Sequence, residues 1–393
     1  MSTRQQTFFV SMTQPNRPIY LDCAATSPID PRVRDVLLHY IDVEFGNAGS
    51  RSHIFGQEAA KGVRNAREQI AAVVNARANE VIFTSGATEA NNLAILGLAA
   101  YGKSAAKRHV ISTLIEHKAV LEPLEFLADQ GFEVDLVEPL EAGYIDPQQI
   151  ARRLRPDTLL VSTMHVNNET GIVQPIAELA EILKDHDSYF HVDAAQGFGK
   201  ELVSLSSSRI DLISCSGHKL YSPKGIGCLV TRRQRKVNRK LSPLVYGGGH
   251  ERGLRPGTLP TALIAAFGKS AELAHQEHLT WSTHWRSLLS PIEKIITEFQ
   301  GTINGDPERQ LGNILNFSIP TIGSDLMLLT LKNIASISTG SACTSAESRD
   351  SHVITAMYGS DSFHASTACR LSVSHLTESI PYDRIRNAIR GVC

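Results

Sequence analysis

Short apolar runs rich in β-branched residues alternate with helical patterns through the first two thirds of the chain, and this alternation constrains the fold more than any other feature. Runs at 81–84, 109–113, 158–164, 189–192, 211–214 and 227–230 end at Ser, Gly, Asn or Asp, as strands do. Between two of them, Pro175 opens a stretch with Ile176, Leu179, Ala180 and Leu183 on one helical face. Strand and helix in alternation predict an α/β domain with a largely parallel sheet. After about Pro260 the pattern becomes a long helical stretch over 262–299 followed by strands at 313–319 and 334–338, a more α+β arrangement that the strand 19–21 joins. The expected division is a large domain over 31–262 and a smaller one from 1–30 with 263–393.

With 393 residues, 39 Lys+Arg and 40 Asp+Glu, the chain has a net charge of -1 and no overall field to draw in nucleic acid or an anionic membrane. Partners must be recognised locally. The six cysteines, at 23, 215, 228, 343, 369 and 393, form no CxxC pair and no regular framework, so they read as reduced thiols. No signal-peptide pattern and no run of transmembrane length is present, which gives the expectation of a cytoplasmic protein with no membrane partner.

Three segments carry chemistry. In VIFTSGATEANNLAILG a strand, a turn at Gly86 and a helix beginning near Thr88 make an anion site from free backbone N–H groups and the helix dipole. In HVDAAQ, Asp193 follows a strand and sits at the carboxyl edge of the sheet, where open α/β sheets bind ligands. In SCSGHKLYSPKGIG, Lys219 follows another strand, flanked by Ser216, His218 and glycines. Alone, each has an ordinary explanation: a capped helix, a capping acid, a solvated lysine. Together, with the lysine 26 positions after the acid, they are the parts that hold pyridoxal phosphate: an amine for a Schiff base and a carboxylate that keeps the pyridine nitrogen protonated.

The segments FTSGATEANNLAI, EHKAVLEPL, MHVNNETG, HVDAAQ, SGHKLYSPKGIG, YGGGHERGLRPGTLP, GSACTS and CRLSVSH resemble, in order, the motifs of NifS/IscS-type cysteine desulfurases, in the class V aminotransferase branch of fold type I enzymes. The resemblance runs from about Ile19 to near the C-terminus. It implies a mostly parallel seven-stranded sheet flanked by helices, a smaller α+β domain, and a homodimer with sites near the subunit interface. It implies that Lys219 forms the Schiff base, that Asp193 partners the pyridine nitrogen, and that His117 stacks on the ring and assists proton transfer. Gln196 would bond the ring hydroxyl and Asn168 would lie beside cofactor and substrate carboxylate. Ala87, Thr88, Ser216 and His218 would hold the phosphate, with Thr258 from the other subunit, and Arg370 would grip the substrate carboxylate as a planar, bidentate donor.

Cys343 lies in STGSACTSAESRDS, a small polar stretch without apolar periodicity, where a mobile surface loop is expected. The resemblance makes it the sulfur acceptor: L-cysteine leaves as alanine, and a persulfide stays on Cys343 for transfer to an acceptor protein. EFGNAGSRSH and RPGT, and an end at Cys393 without the extension used for iron–sulfur scaffold docking, look closer to desulfurases that serve DNA phosphorothioation, of the DndA or SspA kind. Supply of sulfur for iron–sulfur clusters or tRNA thiolation, and selenocysteine lysis, are the alternatives. The run RRQRKVNRK, from Arg232 to Lys240, has six basic residues of nine, the one candidate contact for nucleic acid, yet without interleaved aromatics it reads as a solvated loop. No direct nucleic-acid binding and no metal site is expected.

Overall fold

A computed structural model describes residues 17–232, 240–339 and 351–393. Among these, the strands are β1 (Ile19–Tyr20), β2 (Val81–Thr84), β3 (His109–Thr113), β4 (Glu133–Val137), β5 (Thr158–Met164), β6 (Tyr189–Asp193), β7 (Leu212–Ser216), β8 (Gly227–Thr231), β9 (Thr302–Ile303), β10 (Ile314–Ser318), β11 (Ala335–Ser336) and β12 (Cys369–Ser372). Seven of them form one sheet in the order β2-β8-β7-β6-β5-β3-β4, parallel except for β8, which runs against both of its neighbours. The expected α/β fold with a mostly parallel, helix-flanked sheet is the fold observed.

Central strands of such a sheet are covered on both faces and therefore read as continuous apolar runs. All seven residues of β5 are buried. Side chains still alternate between the faces. Ile111, Val161, Phe190, Val192 and Ile213 enter one core with the helices Ile54–Val73 and Thr261–Glu298, while Ile82, Val110, Leu160, Leu212 and Leu229 enter a second with the helices Ala87–Leu96 and Lys118–Asp129. Each such side chain removed from water contributes on the order of 1.5–3 kcal/mol before the entropic cost of ordering it. β4 was not foreseen, because an edge strand reading EVDLV is half exposed and carries two carboxylates.

β9, β10 and β12 form a small antiparallel sheet in the order β12-β10-β9. β1 pairs in parallel with β11, Ile19 opposite Ala335, in a separate two-stranded sheet. The 38-residue helix Thr261–Glu298 packs on the helices Pro31–Asp42 and Ile54–Val73 and also touches β9 and the helix Tyr382–Arg390, so it contacts both units. Among the described residues no helix is long and apolar enough to cross a membrane.

Candidate active site

Strand register builds one side of the site. Met164, Asp193 and Ser214 are neighbours across β5, β6 and β7, and Asp193 is the last residue of its strand. Ser216 and Thr84 both lie opposite Gly227 of β8, which brings the end of β7 to the turn after β2. A side chain at Gly227 would place its Cβ 2.6 Å from the Gly86 Cα, so the approach of these turns requires glycine there. Gly86 precedes the helix Ala87–Leu96 with no side-chain cap, and its own Cβ position is 3.7 Å from the Ser216 hydroxyl. The start of this helix, with its free first-turn N–H groups, therefore lies near Ser216, an arrangement able to receive an anion.

Lys219 closes the short 3-10 turn Gly217–Lys219 after β7. Its Nζ donates to the carbonyl oxygens of Ala24 (2.5 Å) and Ala25 (2.8 Å), and Gln196 Nε2 donates to the same Ala24 oxygen at 2.8 Å. Ser27 Oγ donates to the His218 carbonyl at 2.7 Å and accepts from Tyr221 N–H at 3.0 Å. The segment after β1, expected only as part of the second unit, therefore lies across the lysine. Nothing in its sequence, LDCAATS, carries charge toward the site except Asp22, and the contact is made through backbone carbonyls that have no sequence signature.

Asp193 is buried. Its Oδ2 accepts from Asn91 Nδ2 at 2.7 Å and its Oδ1 from Ala195 N–H at 2.9 Å. His117 stands at the N-cap of the helix Lys118–Asp129, where its Nδ1 accepts from Ala119 N–H at 3.0 Å, so the neutral ring carries its proton on Nε2. Burial lowers the His117 pKa, Asp193 opposes it, and the positive charge of Lys219 acts in the same sense as burial. Burial, followed by Lys219, Lys224 and Lys200, brings His218 down to about 4. Both rings are neutral at neutral pH.

Arg370, in β12, is 3% exposed. Its Nη1 donates to the Asn168 carbonyl at 2.9 Å and its Nη2 to Asp22 Oδ1 at 2.7 Å. Arg370, Asn168 and Asp22 thus form one cluster, and Asp22 was not foreseen. Two further residues were not foreseen. Glu116, the residue before His117, is fully buried, and Lys200 is a buried second amine whose pKa is brought down to about 7 by burial and by Lys219. A glutamate inside STLIEHKAV and a lysine inside AAQGFGK are charges in small or apolar surroundings, the one signal that could have found them.

Thr258 is exposed and lines an open cavity of about 310 Å³ with Tyr40, Phe45 and Asn47, which no other foreseen site residue lines. Cys343 lies outside the described residues, as does 233–239 of the basic run. Arg232 at the start of that run is buried, its guanidinium donating to the carbonyls of Val74 (2.7 Å), Asn75 (3.1 Å) and Leu205 (2.9 Å), so it serves the fold and is not part of a solvated loop. Cys23, Cys215, Cys228, Cys369 and Cys393 are free thiols.

The residues fit pyridoxal phosphate. Gln196 Oε1, Asn91 Oδ1 and Arg370 Nε are buried polar atoms with no partner among the described residues, and they accompany the carboxylate, the amine and the uncapped helix start that the cofactor needs. Comparison with known proteins gives the family and the fold. Residues 19–379 match the family model of the class V aminotransferases. The cysteine desulfurase IscS of Dechloromonas aromatica is 43% identical over 93% of this chain and 90% of its own length. Among solved structures, DndA from Streptomyces lividans superposes with a TM-score of 0.78 at 46% identity, covering 90% of this chain and 99% of that one. SspA in complex with cysteine superposes with a TM-score of 0.78 at 36% identity, covering 92% and 100%.

Proposed function

The chain belongs to the class V aminotransferase family, among its pyridoxal-phosphate-dependent cysteine desulfurases, and we propose that it works through Lys219, His117 and Cys343, taking sulfur from L-cysteine. The observation that carries the reading is the meeting of Lys219, Asp193 and His117 at one edge of the sheet. Lys219 would hold the cofactor covalently, Asp193 would pair with the pyridine nitrogen and Gln196 would bond the ring hydroxyl. His117 would cover the ring, and Ala87, Thr88, Ser216 and His218 would bind the phosphate. Thr258 reaches the partner's phosphate in a homodimer, a role its exposure supports.

Once bound, pyridoxal phosphate supplies an electron sink for the pair left when the α-proton departs. The Lys219 amine takes that proton, or His117 does once its Nδ1 releases the Ala119 N–H, since the neutral ring with Nδ1 accepting already carries a proton on Nε2. Arg370 binds the substrate carboxylate beside Asn168, while Asp22 keeps the guanidinium oriented. The sulfur step balances without an oxidant: the carbon–sulfur bond of cysteine breaks, a sulfur–sulfur bond to Cys343 forms, and proton return at carbon completes alanine. Three of the other thiols support this choice of nucleophile. Burial pushes Cys23 and Cys369 up to about 12 and Cys215 well above its ordinary value, which keeps all three protonated and unreactive.

The test is to incubate the holoenzyme with L-cysteine, quantify alanine, and map persulfide by mass spectrometry. Cys343→Ser is expected to bind cofactor and to change its absorbance on adding cysteine, yet to form neither persulfide nor stoichiometric alanine. Alanine release at the parental rate, or persulfide on another cysteine, rejects the assignment. For the onward route we propose a cytoplasmic acceptor protein in DNA phosphorothioate modification, supported by the FGNAGSRSH and RPGT segments and the 46% identity to DndA. The 43% identity to an IscS favours a second route, general sulfur supply to iron–sulfur clusters or thiolated tRNA. Deleting the gene and measuring DNA phosphorothioate beside iron–sulfur enzyme activity separates the two.

A further inference from the structure

Glu116 is a buried acid for which the reaction above has no use. Its Oε1 accepts from Thr113 Oγ1 at 2.8 Å and from Met164 N–H at 2.7 Å, which ties the loop after β3 to the last residue of β5. Its Oε2 is buried and has no hydrogen-bond partner among the described residues. The ionisable groups around it are Asp193 at the end of β6, His117 next in sequence, and His352, whose Nε2 donates to the Glu116 carbonyl at 2.9 Å from the helix His352–Tyr358. An ionised carboxylate with one oxygen unsolvated and a second carboxylate nearby is costly, whereas the neutral acid keeps both accepted bonds.

We propose that Glu116 is a positioning residue: as a neutral acid it fastens the loop that presents His117 to the end of β5, and it leaves Asp193 as the one negative charge of this pair. Burial, and next the charge of Asp193, push Glu116 up to about 8, in keeping with that state. The inference rests on the role given to His117, but its test does not depend on turnover. With its folded pKa raised above the unfolded value, Glu116 contributes stability that is fully present below about pH 4.5 and is lost as pH rises through about 8.

The test uses the holoenzyme of the parent, Glu116→Gln and Glu116→Ala. Thermal melts are followed from pH 5 to 9, and the His117 imidazole is titrated by NMR with labelled histidine, assigned through His117→Asn. The parent Tm measured relative to Glu116→Gln is expected to fall between pH 5 and 8, the contributions of other groups cancelling in the difference. Glu116→Gln, whose amide oxygen accepts the same two bonds, should lose this slope and melt about 3 °C or more above the parent at pH 8. In Glu116→Ala the Thr113 and Met164 donors lose their acceptor, and the His117 midpoint should move by about one pH unit, tenfold in proton affinity, and return with Gln. Parallel Tm curves for parent and Glu116→Gln overturn the neutral acid, which keeps the test decisive should the alanine variant fail to fold. An unmoved His117 midpoint in folded Glu116→Ala overturns the positioning role. Persulfide measured on the same parent sample distinguishes this failure from failure of the desulfurase reading.

Discussion

At the edge of the seven-stranded sheet, Asp193 and Ser216 are the last residues of their strands, and His117 and Lys219 follow within a few positions of β3 and β7. Arg370 reaches the same site differently. It sits inside a four-residue strand of the small sheet and is held by Asp22, 348 positions away, and by the Asn168 carbonyl, 202 positions away. The first group is positioned by backbone ladders that also build the core. The second depends on side-chain contacts between distant segments. The cofactor half of the site should therefore tolerate damage to the substrate half, and not the reverse.

The sharpest way to break that comparison is Lys219→Ala. Without the amine the cofactor has no covalent hold, so the visible cofactor absorbance and turnover should both vanish, as read by absorbance and alanine release. A yellow, active variant would remove Lys219 from the centre of the site. Arg370→Ala tests the other half. It should leave the cofactor absorbance intact while weakening cysteine binding by on the order of 2–4 kcal/mol, read as a raised KM for L-cysteine. Loss of the cofactor spectrum in this variant would mean that the two halves are one cooperative unit. The smallest effect concerns Lys200, within the sheet-edge half. A buried amine brought down to about 7 favours the neutral folded state, so stability should rise with pH from about 7 toward 10.5 and fall off below that window. Lys200→Met should flatten this rise in Tm, which a melt series from pH 7 to 10 measures.

The large-sheet half was mostly legible because its signals are local. Six apolar runs became β2, β3, β5, β6, β7 and β8 with shifts of at most two residues at their ends, and those shifts have a reason. Asp211 stays outside β7 because its carboxylate accepts from the Phe190 N–H, while β7 runs on to Ser216 because Gly227 pairs there. The edge strand β4 was not legible, since solvent on one side dilutes its apolar pattern. Arg370 was identified by motif, but its ion pair with Asp22 was not, because nothing in either segment specifies the other.

By itself the sequence determined the α/β alternation, the three chemical segments and the family they resemble, since each is written within about twenty residues, where spacing maps directly onto strand, turn and helix. Only the tertiary structure decided which oxygens meet the Lys219 amine, that Asp22 holds Arg370, and that Glu116 is buried within electrostatic reach of Asp193 with one oxygen unpartnered among the described residues. Those are contacts between segments up to hundreds of positions apart. Their energies come from desolvation and from hydrogen bonds that exist once the sheets and helices have packed, and no local pattern of residues encodes them.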